Sequence, residues 1–143
     1  NCLNNSIIQN RPLMGVFHEE FFRFFPEIPA RTRRHISNPE KGGSCKRLYM
    51  YLRWTIRGGP VDVASMSFMP PSQIYIPLDV HVARQSRRLG LITRKQNDWK
   101  AVEELQEQLV ILDPSDPSKY DYALFGVGLN PHWLDKKWIL NNN

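Results

Sequence analysis

An all-α fold is predicted by three observations. Apolar residues recur at helical spacing in successive stretches, no stretch alternates apolar and polar residues for the length of a strand, and the helical stretches are bounded by Pro, Gly or a capping Asn or Asp. At 143 residues the chain is long enough for one compact domain with a sizeable core and short for two. Residues 1–143 are therefore read as a single helical domain or as the C-terminal portion of one.

The first helical stretch carries Phe17, Phe21, Phe22, Phe24 and Phe25, a strongly apolar set expected to be core, and Pro26 and Pro29 terminate it. Thr32 to Ile36 offers a further helical turn. It leads into Ser37-Asn38-Pro39-Glu40-Lys41-Gly42-Gly43, a loop by composition. Ser44 or Gly43 then caps a helix from about Cys45 to Arg57, with Cys45, Leu48, Tyr49, Leu52 and Ile56 on the inward face and Lys46, Met50, Arg53 and Arg57 on another. Val61 to Leu78 is irregular, and Pro70-Pro71 and Pro77 bring the chain to Asp79 in an extended conformation. Asp79 caps a helix to about Leu89, closed by Gly90. Asn97 or Asp98 caps the next, which turns Trp99, Val102, Leu105 and Leu109 inward. After Asp113-Pro114-Ser115-Asp116-Pro117 a last helix, about Lys119 to Val127, is expected to bury Tyr120, Ala123, Leu124 and Val127. Trp133 and Trp138 are expected to dock in the tail.

Composition narrows the function classes. Hydrophobic residues are 41% and charged residues 23%, an ordinary globular balance, and no apolar run has the length of a bilayer span, so a soluble protein is expected. Cys2 and Cys45 form no CxxC pattern, which fits a reducing cytosol and excludes an all-cysteine iron–sulfur cluster within the chain. His18, His35, His81 and His132 show no metal-ligand spacing, and neither metal nor cofactor is expected. The net charge of +5 is unevenly spread. Arg31, Arg33, Arg34, Lys41, Lys46, Arg47, Arg53 and Arg57 meet only Glu40, and Arg84, Arg87, Arg88, Arg94 and Lys95 meet no acid, whereas the stretch from Asp98 to Asp121 is acidic. Such asymmetry suits a polyanion, although a solvated basic face with no partner is an equal reading of charge alone.

Two residues carry candidate chemistry. Lys46 and Asp79 each stand at a helix start. There the positive end of the helix dipole disfavours an ammonium and favours a neutral, nucleophilic amine, while a carboxylate stays ionised. An amine and a fixed carboxylate are what attack at a sugar C1′ requires while an oxocarbenium ion develops. A lone Lys at a helix start is more often a surface residue, and a lone Asp there is usually a cap.

The stretch from Gly42 to Leu91 resembles the catalytic region of the helix-hairpin-helix GPD superfamily of DNA glycosylases. The matching positions are Gly43, Lys46, Pro77 and Asp79, followed by Val80-His81-Val82-Ala83-Arg84 and Arg88-Leu89-Gly90-Leu91. The 33 positions from Lys46 to Asp79 are more similar to the archaeal 8-oxoguanine glycosylases than to the shorter segment of the eukaryotic enzymes. Over most of the chain, Cys45-Lys46-Arg47-Leu48, Leu52-Arg53-Trp54, Arg94-Lys95-Gln96-Asn97-Asp98-Trp99 and Lys119-Tyr120-Asp121 with Leu124-Phe125-Gly126 resemble a bacterial family filed as a domain of unknown function (DUF 2400). That family is longer at its N-terminus, and the chain has neither an initiator Met nor a signal-peptide pattern, so a truncated domain is expected. Two segments depart from the glycosylase pattern. Asn38-Pro39-Glu40-Lys41-Gly42-Gly43 replaces an apolar Leu-Pro-Gly-Val-Gly hairpin, and Val63-Ala64-Ser65-Met66 replaces a Gly/Trp-containing segment.

The resemblance implies a helix-hairpin-helix GPD-like domain in which residues 37–91 hold the hairpin and the catalytic Lys/Asp pair. It implies a bifunctional glycosylase and AP lyase of base-excision repair, acting on oxidised purines such as 8-oxoguanine in double-stranded DNA. Lys46 would be the Schiff-base nucleophile and Asp79 the carboxylate. Gly42, Gly43, Ser44, Arg47, Arg53, Trp54, His81, Arg84 and Trp99 would contact DNA, with Arg53 on the surface or at a phosphate. The expected setting is a monomer in the bacterial cytoplasm, associated with the nucleoid. Core packing is the competing role for Trp99 and Tyr49, which lie on apolar stripes, and the rival function is a non-catalytic nucleic-acid-binding module on the same fold.

Overall fold

The structure, a computed structural model, describes residues 11–130 and His132. Cys2, Trp133, Trp138 and the N-terminus expected to be truncated lie outside these residues. The described chain is all-α, as expected, and contains no strand. Its helices are α1 (Leu13–Phe24), α2 (Ala30–Arg33), α3 (Lys46–Ile56), α4 (Val80–Arg88), α5 (Trp99–Leu112) and α6 (Tyr120–Leu129), with short 3-10 turns at Pro39–Lys41, Pro71–Gln73 and Pro117–Lys119. Among the described residues no helix is long and apolar enough to cross a membrane.

The core joins the inward faces of α3, α4 and α5. Tyr49, Leu52 and Ile56 of α3 meet Val82 and Ala83 of α4 and Trp99, Ala101, Val102, Leu105 and Leu109 of α5. The spacing of these residues is that of amphipathic helices, which is why the faces of α3 and α5 were legible beforehand. Asp79 and Asp98 cap α4 and α5 through their side chains: Asp79 Oδ1 accepts the N–H groups of His81 and Val82, both at 2.8 Å, and Asp98 Oδ1 accepts that of Ala101 at 3.2 Å. Gly90, at φ 73°, follows α4 in the left-handed conformation that glycine adopts without a Cβ penalty.

The connection from Val61 to Leu78 is irregular, as expected, yet its last part runs through the core. Ile74, Ile76 and Leu78 are buried, and their alternation is that of an extended chain. Such a segment has no sheet neighbour here, so its backbone needs another partner. Gln106 supplies one: its Oε1 accepts the Ile76 N–H at 3.2 Å and its Nε2 donates to the Ile74 carbonyl at 3.3 Å. One buried amide from α5 thereby does the work of an adjacent strand.

Three expectations are corrected. None of the five phenylalanines on and just after α1 is fully buried, although Phe17 packs against the core. That helix buries Met14, Gly15 and Val16 in its first turns, whereas Phe17, Phe21 and Phe22 are half-exposed and Phe24 and Phe25 are 71% and 53% exposed. Beyond them α2 buries no residue, and what it lays on α1 is the Arg33 guanidinium over the Phe22 ring. Secondly, α3 is preceded by Cys45, not capped by Ser44 or Gly43. Cys45 takes a left-handed backbone (φ 52°, ψ 26°), and the helix start has no side-chain cap. Thirdly, α6 turns Asp121, Leu124 and Gly128 inward while Ala123 is exposed and Tyr120 and Val127 are half-buried. Two tertiary demands set this rotation. Asp121 meets a buried arginine, and Gly128 lets α6 approach α4 so closely that a Cβ there would lie 2.7 Å from the Cβ of His81.

Candidate functional site

The segment before Lys46 folds tightly upon itself. Asn38 Oδ1 accepts the Glu40 N–H at 2.8 Å, and the Asn38 carbonyl accepts the N–H groups of Lys41 and Gly43 at 3.2 and 2.9 Å. Gly42 reverses the chain at φ 82°, and its carbonyl accepts the N–H of Trp99 at 3.0 Å, tying the turn to the start of α5. Gly43 has no room for a side chain, since a Cβ would meet Ser37 Oγ and lie 3.0 Å from the Asn38 carbonyl. The Cys45 thiol donates to the carbonyls of Ser37 and Gly43 at 3.4 and 3.3 Å. Burial pushes this thiol up to about 11, so it is protonated at neutral pH.

This turn delivers Lys46 as the first residue of α3, half-buried. Lys46 lines a cleft of about 210 Å³ with Arg34, His35, Ser37, Ser44, Cys45, Arg47 and Leu48. An adjoining cleft of about 370 Å³ shares Arg34 and Ser37 and adds His18, Phe22, Arg33, Asn38 and Lys41. Neither is lined by a carboxylate. Burial, and then the cations of Lys41 and Arg33, hold His18 below its ordinary range and leave its imidazole neutral at pH 7. Uncapped helix N–H groups beside several cations form a general anion-binding arrangement.

Asp79 lies at the start of α4, half-buried, with one carboxylate oxygen committed to the two backbone N–H groups it caps. It is not among the residues lining the Lys46 cleft. Of the other candidate site residues, Gly42, Gly43, Ser44 and Arg47 cluster at the hairpin and the mouth of α3, and Trp54 is 42% exposed farther along the helix. His81 and Arg84 are engaged where α4 meets α6. The His81 ring packs edge-on to Phe125, centroids 5.5 Å apart, and Arg84 Nη2 donates to the Gly128 carbonyl at 2.8 Å.

Trp99 and Arg53 are interior. Trp99 is 6% exposed and stacks on Tyr49 with centroids 5.9 Å apart, the core role its apolar stripe allowed. The surface position expected for Arg53 is corrected: it is 3% exposed, ion-paired with Asp121 and Asp62, and stacked over the Tyr122 ring at 4.1 Å. Arg57 joins the same cluster, donating to Asp116 at 2.7 and 2.9 Å and to Asp62 at 2.7 Å. The cations near α4 are likewise occupied. Arg87 donates to the carbonyls of Arg94, Lys95 and Gln96, and Arg94 forks onto Asp98 at 2.6 and 2.5 Å. Among the described residues no ion pair engages Arg34, Lys46 or Arg47, so unopposed charge stands at the hairpin as well as at Arg84, Arg87, Arg88 and Lys95 near α4. The run Arg31-Thr32-Arg33-Arg34 signalled this charge, but nothing in the sequence placed His18 and Phe22 beside it.

Residues 4–130 match the family model described as Protein of unknown function (DUF2400). The chain belongs to the DUF2400 family. No curated protein and no solved structure matches it. The matched span takes in the hairpin, Lys46, Asp79 and both clefts of this DUF2400 chain.

Proposed function

We propose that this DUF2400 chain is a DNA glycosylase and AP lyase that removes a damaged base, an oxidised purine such as 8-oxoguanine, from double-stranded DNA. The observation that carries the reading is the position of Lys46: an amine at the uncapped start of α3, held by a folded-back hairpin and set in a cleft lined by cations and no carboxylate. Backbone N–H groups there grip a phosphate, and the target nucleotide leaves the stack. The Lys46 amine gives its lone pair to C1′ while the C1′–N bond breaks and its electrons depart with the base, which takes up a proton. Asp79 stabilises the positive charge developing on the sugar. Ring opening then yields a Schiff base, and loss of a 2′ proton expels the 3′ phosphate. Gly42, Gly43, Ser44 and Arg47 serve the strand at the hairpin. Trp99 and Arg53, being interior, hold the scaffold.

The test is borohydride trapping on a panel of lesion-containing duplexes. Lys46→Gln should abolish the covalent adduct and strand cleavage while leaving DNA affinity within a fewfold of wild type. Asp79→Asn should slow base release by about 100-fold or more, the scale of losing one electrostatic stabiliser of a transition state, with circular dichroism checking that α4 keeps its cap. A lysine variant that still traps would remove Lys46 from the chemistry. A second reading, a nucleic-acid-binding module without catalysis, is favoured by the absence of Asp79 from the lining of the Lys46 cleft. Salt-sensitive binding with no trapping by any lesion would select it.

A further inference from the structure

We infer that the two clefts meeting at Arg34 and Ser37 form one groove for a single strand of nucleic acid, with phosphates along Arg34 and Lys46 and a base against the stacked pair of Phe22 and Arg33. This path presupposes that the chain binds nucleic acid at Lys46, as proposed above, and assigns the strand a course outside the hairpin. The clefts share Arg34 and Ser37 in their linings. The acid of the hairpin, Glu40, is paired with Arg11, whose Nε and Nη2 donate to it at 2.5 and 2.9 Å. The charge of the groove therefore calls for a polyanion.

Its aromatic wall selects among polyanions. The Arg33 guanidinium lies 4.5 Å from the Phe22 ring centroid and is fixed by donating from Nη2 to the Pro26 carbonyl at 2.9 Å. His18 and Phe21 meet Phe22 edge-on, with centroids 4.7 and 5.3 Å away. Arg33 covers one face of Phe22, so a base entering the larger cleft stacks on the outer plane of a guanidinium that the ring backs. At about 370 Å³ this cleft lies in the range of pockets that take small molecules, so one nucleotide rather than a duplex is its match. The exposed Phe25 continues the aromatic surface at the same helix end, 5.1 Å from Phe21.

The experiment measures fluorescence anisotropy of labelled oligothymidylate with the full chain, and quenching of 2-aminopurine placed in the same strand. Phe22→Leu, which keeps the side-chain bulk, should weaken binding about tenfold and abolish quenching, while Phe22→Tyr retains both. Arg34→Gln should weaken binding and reduce the slope of log affinity against log salt by about 0.7. Circular dichroism melts confirm that each variant is folded. Absence of oligothymidylate binding at low salt, equal affinity of wild type and Phe22→Leu, or polyglutamate competing as well as the oligonucleotide would overturn the groove. Borohydride trapping separates the two ideas. Trapping on duplex lesions by a Phe22→Leu protein with unaltered strand affinity rejects the groove and keeps the glycosylase. Phe22-dependent strand binding with no trapping does the reverse.

Discussion

Cys45 combines a left-handed backbone, a side chain 1% exposed and a thiol donating to two carbonyls of the hairpin. A residue with a Cβ pays for this conformation in strain, so the hairpin is held by its surroundings rather than by local preference. Burial raises the thiol from its ordinary 9.0 to about 11, and the sign of the consequence follows. The unfolded chain loses this proton at lower pH than the folded one, so the contribution is complete below about pH 9 and disappears as pH rises to about 11. Tyr49, also raised by burial, acts in the same direction, so the measurement must be a difference. The gap in urea midpoint between wild type and Cys45→Ala should narrow from pH 8 to pH 11. A constant gap would mean that the buried thiol does not titrate with unfolding.

Helices show most clearly what a sequence discloses. The inward faces of α3 and α5 and the caps Asp79 and Asp98 were legible because each rests on local spacing or a local hydrogen bond. The rotation of α6 was not, because it answers to Asp121 and Gly128, whose partners Arg53 and His81 lie far away in sequence. The phenylalanines of α1 misled for the complementary reason: apolar composition states a preference for burial, but only tertiary structure supplies the cover. At the candidate site Lys46 and the glycines were visible as a local pattern, whereas the cleft linking Arg34, Phe22 and His18 required folding to bring α1 to the hairpin. Gly128 offers a test of helix approach. Its added methyl group would meet His81 at 2.7 Å, on a helix whose Gly128 carbonyl also receives Arg84. Gly128→Ala should therefore destabilise the fold by about 1–3 kcal/mol as overpacking does, overriding the helix-propensity gain. Urea denaturation with an unchanged m value reads the shift, and a stabilised variant would show that α4 and α6 have slack.

Across the molecule, two parts of the basic excess have distinct tasks. Arg53 and Arg57 are consumed with Asp62, Asp116 and Asp121 in a cluster that fastens α3 to the chain around Pro117 and to α6, and Tyr122 closes it by donating to Asp62 at 2.8 Å. Arg34, Lys46 and Arg47 stay available at the opposite end of that division of labour, in the hairpin clefts. The internal cluster should consequently govern stability and leave polyanion affinity little changed. Asp121→Asn removes one carboxylate from an arginine that is 3% exposed, leaving Asp62 at 3.7 Å as its remaining ionic partner. Breaking a buried pair on one side typically costs about 3–5 kcal/mol, and Asp62 places this variant near the lower end. Removing both charges differs in kind, since a well-packed apolar pair avoids burying either one, and Asp62 keeps Arg57 and Tyr122. Arg53→Met with Asp121→Leu should thus recover most of the loss in a thermal melt, with anisotropy on DNA unchanged. If the double variant instead falls by the sum of the single losses, the two residues act independently, and the cluster does not work as a coupled clamp.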